Sequence, residues 1–175
     1  TLGIRDKARH LATLYLEDLS DFIKENIDPN FGFSRYAEKL AMSATSFDEL
    51  NEELQADYSF IDAILTTLLS EKIEEQQPTL VIITAPFPGN VYGALRCGEY
   101  IKNNYPKIKI SLGGGYANTE LRSLSDTRVF NYVDFITLDD GEAPIQHLIN
   151  YLDNPEIINL KRTFMLMNDE VKYFD

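Results

Sequence analysis

The sequence predicts an α/β protein in which a helical half precedes a parallel sheet of about three strands and a C-terminal β-hairpin. In residues 1–78, apolar residues recur every three or four positions, which is the period of an amphipathic helix. After residue 78, short apolar runs alternate with helical patterns, as in strand–helix–strand units. We therefore divide the chain into a helical region (1–78), an α/β region (79–155) and a hairpin (156–175).

The helices of the first half are predicted by periodicity and by turn residues. The apolar stripe of 6–24 stops at an Asp-Pro-Asn turn, and 34–42 is a second short helix. A hydroxyl followed three positions later by a carboxylate, Ser46 to Glu49, is a capping box that starts the third helix. The fourth helix covers 59–73 and ends before Pro78.

The second half is predicted to contain three buried strands, three helices and a hairpin. Pro144 suits the first turn of the last helix, where a missing N–H costs nothing. The helix at 90–104 carries Leu95 and Gly98 on its apolar face and Arg96 on its polar face. We expect strands at 80–84, 108–112 and 133–138, helices at 90–104, 119–124 and 143–152, an irregular turn at 129–132, and hairpin strands at 161–167 and 171–174.

Composition indicates one acidic domain. The chain has 175 residues, 44% of them hydrophobic, and a formal net charge of −12 at pH 7. Such a surface repels phosphate backbones, so we expect no nucleic-acid partner. No apolar run reaches the ~18–20 residues of a membrane span, and no secretory signal is visible. The single cysteine, Cys97, excludes an internal disulfide and fits a reducing compartment, so we expect a cytoplasmic protein without a membrane partner.

The candidate site is formed by the loops that follow the three strands. Carboxyl ends of parallel strands share one edge, where ligands of α/β sheets bind. The loops are 85–90, 113–118 and 139–142, and they are rich in small, aromatic and turn-forming residues. The candidate cofactor-contacting residues are Ala85, Pro86, Phe87, Gly89, Asn90, Gly113, Gly114, Gly115, Tyr116, Asn118, Asp139, Gly141 and Glu142.

Each part of this edge has two interpretations. Gly113-Gly114-Gly115 either lets a ligand approach the backbone or only permits a tight turn. The acidic residues, Asp139, Asp140 and Glu142, either bind a cation and exchange protons or favour the positive end of the next helix. Tyr116 and Asn118 either face a flat ligand or pack the loop. Neither a G-x-G-x-x-G nor a G-x-x-x-x-G-K-[ST] pattern occurs.

His10, His147 and Cys97 have no second histidine or cysteine at ligand spacing. We expect ordinary helix positions for the two histidines and a small buried hydrophobe for the cysteine. No Ser-His-Asp set with local support is visible. We therefore expect no catalytic residue and no metal ligand in this chain.

Residues 79–152 resemble the cobalamin-binding-type domain that precedes the catalytic core of many radical S-adenosylmethionine proteins. The resemblance is carried by Leu-Val-Ile-Ile-Thr followed by Pro-Phe-Pro-Gly-Asn at 80–90, by Ile-Lys-Ile-Ser-Leu-Gly-Gly-Gly at 108–115, and by Asp-Phe-Ile-Thr-Leu-Asp-Asp-Gly-Glu at 134–142. It implies a flavodoxin-like or Rossmann-like parallel sheet with cobalamin across its carboxyl edge. It also implies a catalytic core in the same polypeptide as the partner of this domain.

The chain departs from that family in three ways. The Asp-x-His-x-x-Gly signature of base-off cobalamin enzymes is absent, and helices occupy the place of the first two strands. No Cys-x-x-x-Cys-x-x-Cys exists, so a [4Fe-4S] cluster and S-adenosylmethionine are expected only in the missing core. The start at Thr1 also suggests a piece of a longer protein. The alternative is an interaction or structural domain without a cofactor. If cobalamin does bind, a large side chain at Gly113 or Gly114 should block it without unfolding the domain.

Overall fold

The computed structural model describes residues 3–33, 37–42 and 47–175. Short 3₁₀ turns at Pro88–Asn90 and Thr127–Asn131 supplement the helices and strands. In chain order the described elements are α1 (Ile4–Asn26), α2 (Glu38–Met42), α3 (Asp48–Gln55), α4 (Phe60–Gln76), β1 (Leu80–Thr84), α5 (Val91–Asn104), β2 (Lys109–Gly113), α6 (Gly115–Glu120), β3 (Phe135–Thr137), α7 (Glu142–Asp153), β4 (Thr163–Met167) and β5 (Glu170–Phe174).

All five strands form one sheet, in the order β1-β2-β3-β4-β5. β1 pairs in parallel with β2, opposing Val81 to Ile110, and β2 pairs in parallel with β3. The predicted parallel arrangement of the first three strands is therefore confirmed. The expected number of about three strands is wrong, because β4 pairs antiparallel with β3 and brings the hairpin into the sheet. The sheet is mixed, and the hairpin at 156–175 is not separate from it.

Different helices pack on the two faces of the sheet. Since side chains alternate along a strand, Ile110, Leu112 and Ile136 point to the face that packs against the helices of the first half and α5. Phe135 points to the opposite face, where it packs with Leu148 of α7. This opposite face is incomplete at β1, where Ile82 is 48% exposed. The expectation that β1 is covered on both faces is therefore wrong.

Among the helices of the first half, α1 begins two residues earlier than predicted, and α4 begins at Phe60 with Ser59 as its N-cap, in agreement with the predicted start at 59. The capping box lies at the start of α4: Ser59 Oγ accepts from Asp62 N at 3.1 Å, and Asp62 Oδ2 accepts from Ser59 N at 3.1 Å. The predicted box at Ser46 lies outside the described residues, and so does the predicted start of the second helix at residues 34–36. In the described part, α2 covers Glu38–Met42 and α3 begins at Asp48.

α1 stands apart from this packing. Ser20 is its one buried residue, while Leu11, Tyr15 and Phe22 are exposed by 56%, 70% and 58%. Charged residues are interspersed with these exposed apolar side chains along α1, so the helix is not apolar throughout. Within 3–33, 37–42 and 47–175, no helix combines the length and apolar character needed to cross a bilayer.

A buried polar cluster ties α3, α4 and α5 together, and its centre is Arg96. The sequence pattern places Arg96 on the polar face of its helix, but the residue is 0% exposed. Its Nη1 donates to the Leu54 carbonyl at 2.7 Å and to Glu99 at 2.6 Å, and its Nε lies 3.3 Å from Asp62 Oδ2. Tyr92 Oη also donates to Asp62, at 2.8 Å. The guanidinium thus satisfies carbonyls at the end of α3 that no helical N–H reaches.

Candidate functional site at the carboxyl edge of the sheet

The loops after β1, β2 and β3 meet and are joined by hydrogen bonds. Ala85 N donates to the Gly113 carbonyl at 2.9 Å, and Tyr116 N donates to the Ala85 carbonyl at 3.0 Å. Asn118 connects the second loop to the third, since its Nδ2 donates to the Asp139 carbonyl at 3.0 Å and its Oδ1 accepts from Asp139 N at 2.5 Å. Hydrogen bonds between the three loops therefore hold the carboxyl edge in place without a ligand.

The three glycines are required by this loop-to-loop packing. A Cβ at Gly113 would lie 2.9 Å from Thr137 Oγ1, one at Gly114 would lie 2.9 Å from the Ala85 carbonyl oxygen, and one at Gly115 would lie 2.5 Å from the Pro86 carbonyl oxygen. Gly114 also has φ +100°, where other residues are strained. A large side chain at Gly113 or Gly114 would therefore disturb the fold. The expectation that it would only block a ligand is wrong.

Asp139 forms the charged centre of the third loop. Its carboxylate accepts from Arg162 Nε and, at 2.9 Å, from Arg122 Nη2. These hydrogen bonds, led by the one from Arg162, lower the pKa of Asp139. The residue is ionised and paired on both sides, which leaves it less suited to act as an acid or base. Arg162 Nη1 also donates to Asp175 at 2.8 Å, so the hairpin is tied to the edge.

The candidate residues divide into buried and exposed groups. Ala85, Gly113 and Tyr116 are buried and shape the loops from inside. Phe87 is 69% exposed, although it is a large apolar residue. Gly141 has φ +83° and open space where a Cβ would stand, and Glu142 lies exposed in the first turn of α7 without a side-chain cap. A ligand approaching from solvent would therefore meet Phe87 and a surface of glycine, proline and carboxylate groups, including Pro86, Gly89, Asn90, Gly115, Gly141 and Glu142.

A cavity of about 560 Å³ opens beside this edge, on the face covered by α5. Of the predicted site residues, Tyr116 lines it, together with the neighbouring Pro88. The rest of its wall comes from Phe47, from α2, α3, α5 and β2, from Glu120 at the end of α6, and from the segment that follows α6, including Leu121 and Leu124. This segment is absent from the sequence-predicted site. In the sequence of this segment, apolar residues are separated by polar ones, which is compatible with one wall of a cleft. The pattern is too common to predict a binding site from the sequence.

The strand order does not provide a ligand crevice by itself. In open α/β sheets, ligands bind where the strand order reverses and neighbouring connections leave on opposite faces. Here β1, β2 and β3 follow one another without reversal. The outer edge of β1 pairs with no strand in the described part of the chain.

Potential metal ligands are scattered. Among the described residues, no three His, Cys, Asp or Glu side chains are placed to hold a metal ion. His147, on α7, donates through Nδ1 to the Asn159 carbonyl at 2.8 Å, as expected of an ordinary helix residue. Cys97 lies in α5, among the helices of the first half, away from the three loops.

The thiol of Cys97 should react slowly with alkylating reagents in the native protein. Burial, followed by the negative charge of Asp62, raises the pKa of its thiol to about 11 from an ordinary 9.0. The thiolate fraction at neutral pH is then lower by about a hundredfold, and so is the rate of alkylation. Iodoacetamide labelling followed by mass spectrometry should be about a hundredfold slower in buffer than in denaturing urea. Equal rates in the two conditions would contradict the buried placement of this thiol.

Comparison with known proteins assigns no family. The chain matches no family model, no curated protein and no solved structure. Its function therefore has to be inferred from its own residues and their geometry.

Proposed function

We propose that this chain is the cobalamin-binding-type domain of a radical S-adenosylmethionine protein, and that its carboxyl edge positions cofactor or substrate for a catalytic core outside the chain. The observation that carries the proposal is the junction of the three strand-end loops at one edge of a parallel sheet. The sequence motifs of the resemblance lie in those loops. A preorganised edge binds a ligand with little further loss of conformational freedom.

The residues at the edge suit a broad, flat ligand. Phe87 presents an aromatic ring to solvent, and the exposed backbone of Gly115 packs against the adjacent Pro86. Aromatic faces stack on planar groups such as a corrin ring. A corrin is too broad for the neighbouring cavity of about 560 Å³, so it would lie across the loops. The histidines are on α1 and α7, and neither belongs to the three loops, so we propose binding without a protein histidine as axial ligand.

The open edge of β1 affects how tightly this chain binds. In the family that it resembles, two further strands complete the pocket. Here that edge is unpaired among the described residues, and Ile82 beside it is exposed. We therefore propose that this chain binds cobalamin weakly, and that a longer polypeptide containing the core binds it more tightly. The core would also hold S-adenosylmethionine and the [4Fe-4S] cluster, since Cys97 alone cannot ligate a cluster.

Phe87→Ala tests the proposed ligand surface. The ring is 69% exposed and belongs to neither hydrophobic cluster of the core, so its removal should change stability little and weaken cobalamin binding about tenfold, through the loss of one stacking contact. The measurement is an absorbance titration with hydroxocobalamin, with circular dichroism as a check on folding. Phe60→Ala is the matched control, because Phe60 is 63% exposed at the start of α4 and lies outside the three loops. Equal weakening by both substitutions would place the ligand elsewhere.

The second candidate is an interaction domain without a cofactor. It is favoured because the residues of the carboxyl edge already have partners within the chain. The glycines contact neighbouring segments, and Asp139 is paired with Arg122 and Arg162. The exposed apolar residues of α1 offer a surface for a protein partner. Failure of both the wild type and Phe60→Ala to bind hydroxocobalamin, in this chain and in the longer polypeptide, would favour this candidate.

A further inference from the structure

The cavity beside the carboxyl edge has the size and lining of a small-molecule site. Its volume of about 560 Å³ falls within the range of about 300–1,000 Å³ that ligand pockets occupy. Most of its wall is apolar, contributed by residues such as Phe47, Leu95 and Leu112. A few polar groups interrupt that wall, which is the usual composition of a site that both holds and orients a ligand.

Tyr116 contributes a polar group to this wall. The residue is only 8% exposed, and its hydroxyl has no hydrogen-bond partner among the described residues. The backbone N–H of Tyr116 is fixed by Ala85, so the ring belongs to a preorganised loop. Its hydroxyl oxygen is not enclosed by protein, so a ligand in the cavity can form a hydrogen bond with it.

The charges on the wall favour a cation. Two carboxylates line the cavity, and no lysine, arginine or histidine does so among the described residues. Asp126 is neutralised by Arg128, whose Nη2 lies 2.7 Å away. Glu120, in contrast, is exposed and forms no ion pair with any other described residue. Its charge acts on Tyr116: burial first, and Glu120 second, raise the pKa of that phenol. The uncompensated charge beside Tyr116 is therefore negative.

We infer that this cavity binds a small amphipathic amine, with its apolar body against the leucine and phenylalanine wall and its ammonium group between Tyr116 and Glu120. An ammonium has three donors and no acceptor, so it suits the phenol oxygen and the carboxylate together. The apolar and acidic wall disfavours a carboxylate or phosphate at the same place, because like charges repel in a partly desolvated site. This inference does not rest on the proposed cobalamin surface, which lies across the loops.

Three probes of similar shape test the charge preference: phenethylamine, 2-phenylethanol and 3-phenylpropanoate. Each is titrated into this chain labelled with nitrogen-15, and binding is followed from amide shifts of α6 and residues 121–126. We expect phenethylamine to bind about tenfold more tightly than the alcohol, and 3-phenylpropanoate to bind most weakly. Equal or tighter binding of 3-phenylpropanoate, or no shift of these amides with any probe, would overturn the inference.

Two substitutions locate the ammonium group. Tyr116→Phe keeps the ring and removes a hydroxyl that bonds to nothing in the described part, so it should preserve folding and weaken phenethylamine binding about tenfold. Glu120→Gln should weaken it about threefold, since the carboxylate is exposed and screened. The controls are Tyr151→Phe, on the opposite face of the sheet, and Glu71→Gln, on α4. Neither should change the affinity. Wild-type affinity in Tyr116→Phe would also overturn the inference.

Discussion

Gly98→Ala should destabilise the protein by about 3 kcal/mol, whereas Gly93→Ala in the same helix should stabilise it. A Cβ at Gly98 would lie 2.2 Å from the carbonyl oxygen of Tyr132, and a backbone atom cannot yield as a flexible side chain can. At Gly93 the nearest atom is Leu65 Cδ2, at 3.9 Å, which is an ordinary contact. There alanine replaces a poor helix former and should add about 0.5–1 kcal/mol of stability.

The measurement for this pair is urea unfolding followed by circular dichroism. Because both glycines lie in α5, the two substitutions have the same effect on helix propensity and differ in the space available. The opposite signs therefore isolate the contact between α5 and the Tyr132 carbonyl. Equal changes in the free energy of unfolding would show that α5 does not pack this closely on the segment before β3.

Arg96→Met should be destabilising by about 3–5 kcal/mol, even though methionine fills much of the same space. The substitution leaves Asp62, which is 1% exposed, without the cation beside it, and breaking one side of a buried ion pair has a cost of this size. It also leaves the Leu54 carbonyl without the donor that Arg96 provides, and it removes one of the two donors to the Glu53 carbonyl. Denaturant unfolding gives the free energy directly.

Two further variants separate the causes. Adding Asp62→Asn to Arg96→Met should recover part of the loss, because an amide is less unfavourable than a carboxylate in a buried position. Lys72→Met is the control for an exposed pair: Lys72 and Glu75 lie 2.5 Å apart on the surface of α4, and their loss should change stability by less than about 1 kcal/mol. A similar small change for Arg96→Met would mean that the cluster does not hold α3, α4 and α5 together.

The parts of the fold that depend on local pattern are predictable from the sequence. β1 and β2 lie within one residue of their predicted bounds because their runs are short, apolar and bounded by proline or glycine. The helix predicted at 119–124 instead covers Gly115–Glu120 as α6, because the glycines at its start are poor helix formers. The Ser59–Asp62 capping box has the same kind of sequence pattern as the box predicted at Ser46, so the start of α4 carries a local signal too.

The parts that depend on long-range contacts are not predictable in this way. Arg96 looks like an ordinary surface arginine until Asp62 and the end of α3 are brought beside it. The glycine run identifies the edge, but the neighbours that require those glycines come from other segments, namely the end of β1 with its following loop and the end of β3. The hairpin is predictable, yet its pairing with β3 has no local signal. The cavity combines residues from four helices and one strand, so no single segment indicates it.

The sequential strand order also has a consequence for the growth of the sheet during folding. Each described strand after β1 is hydrogen-bonded to the one that precedes it in the chain, so none of them has to be inserted later between two others. The closest pairing is the β4–β5 hairpin, whereas the partners β1 and β2 are separated by α5. Such near-neighbour pairing keeps the entropy of loop closure low and allows rapid folding. During synthesis, each strand after β1 therefore leaves the ribosome after the strand with which it pairs.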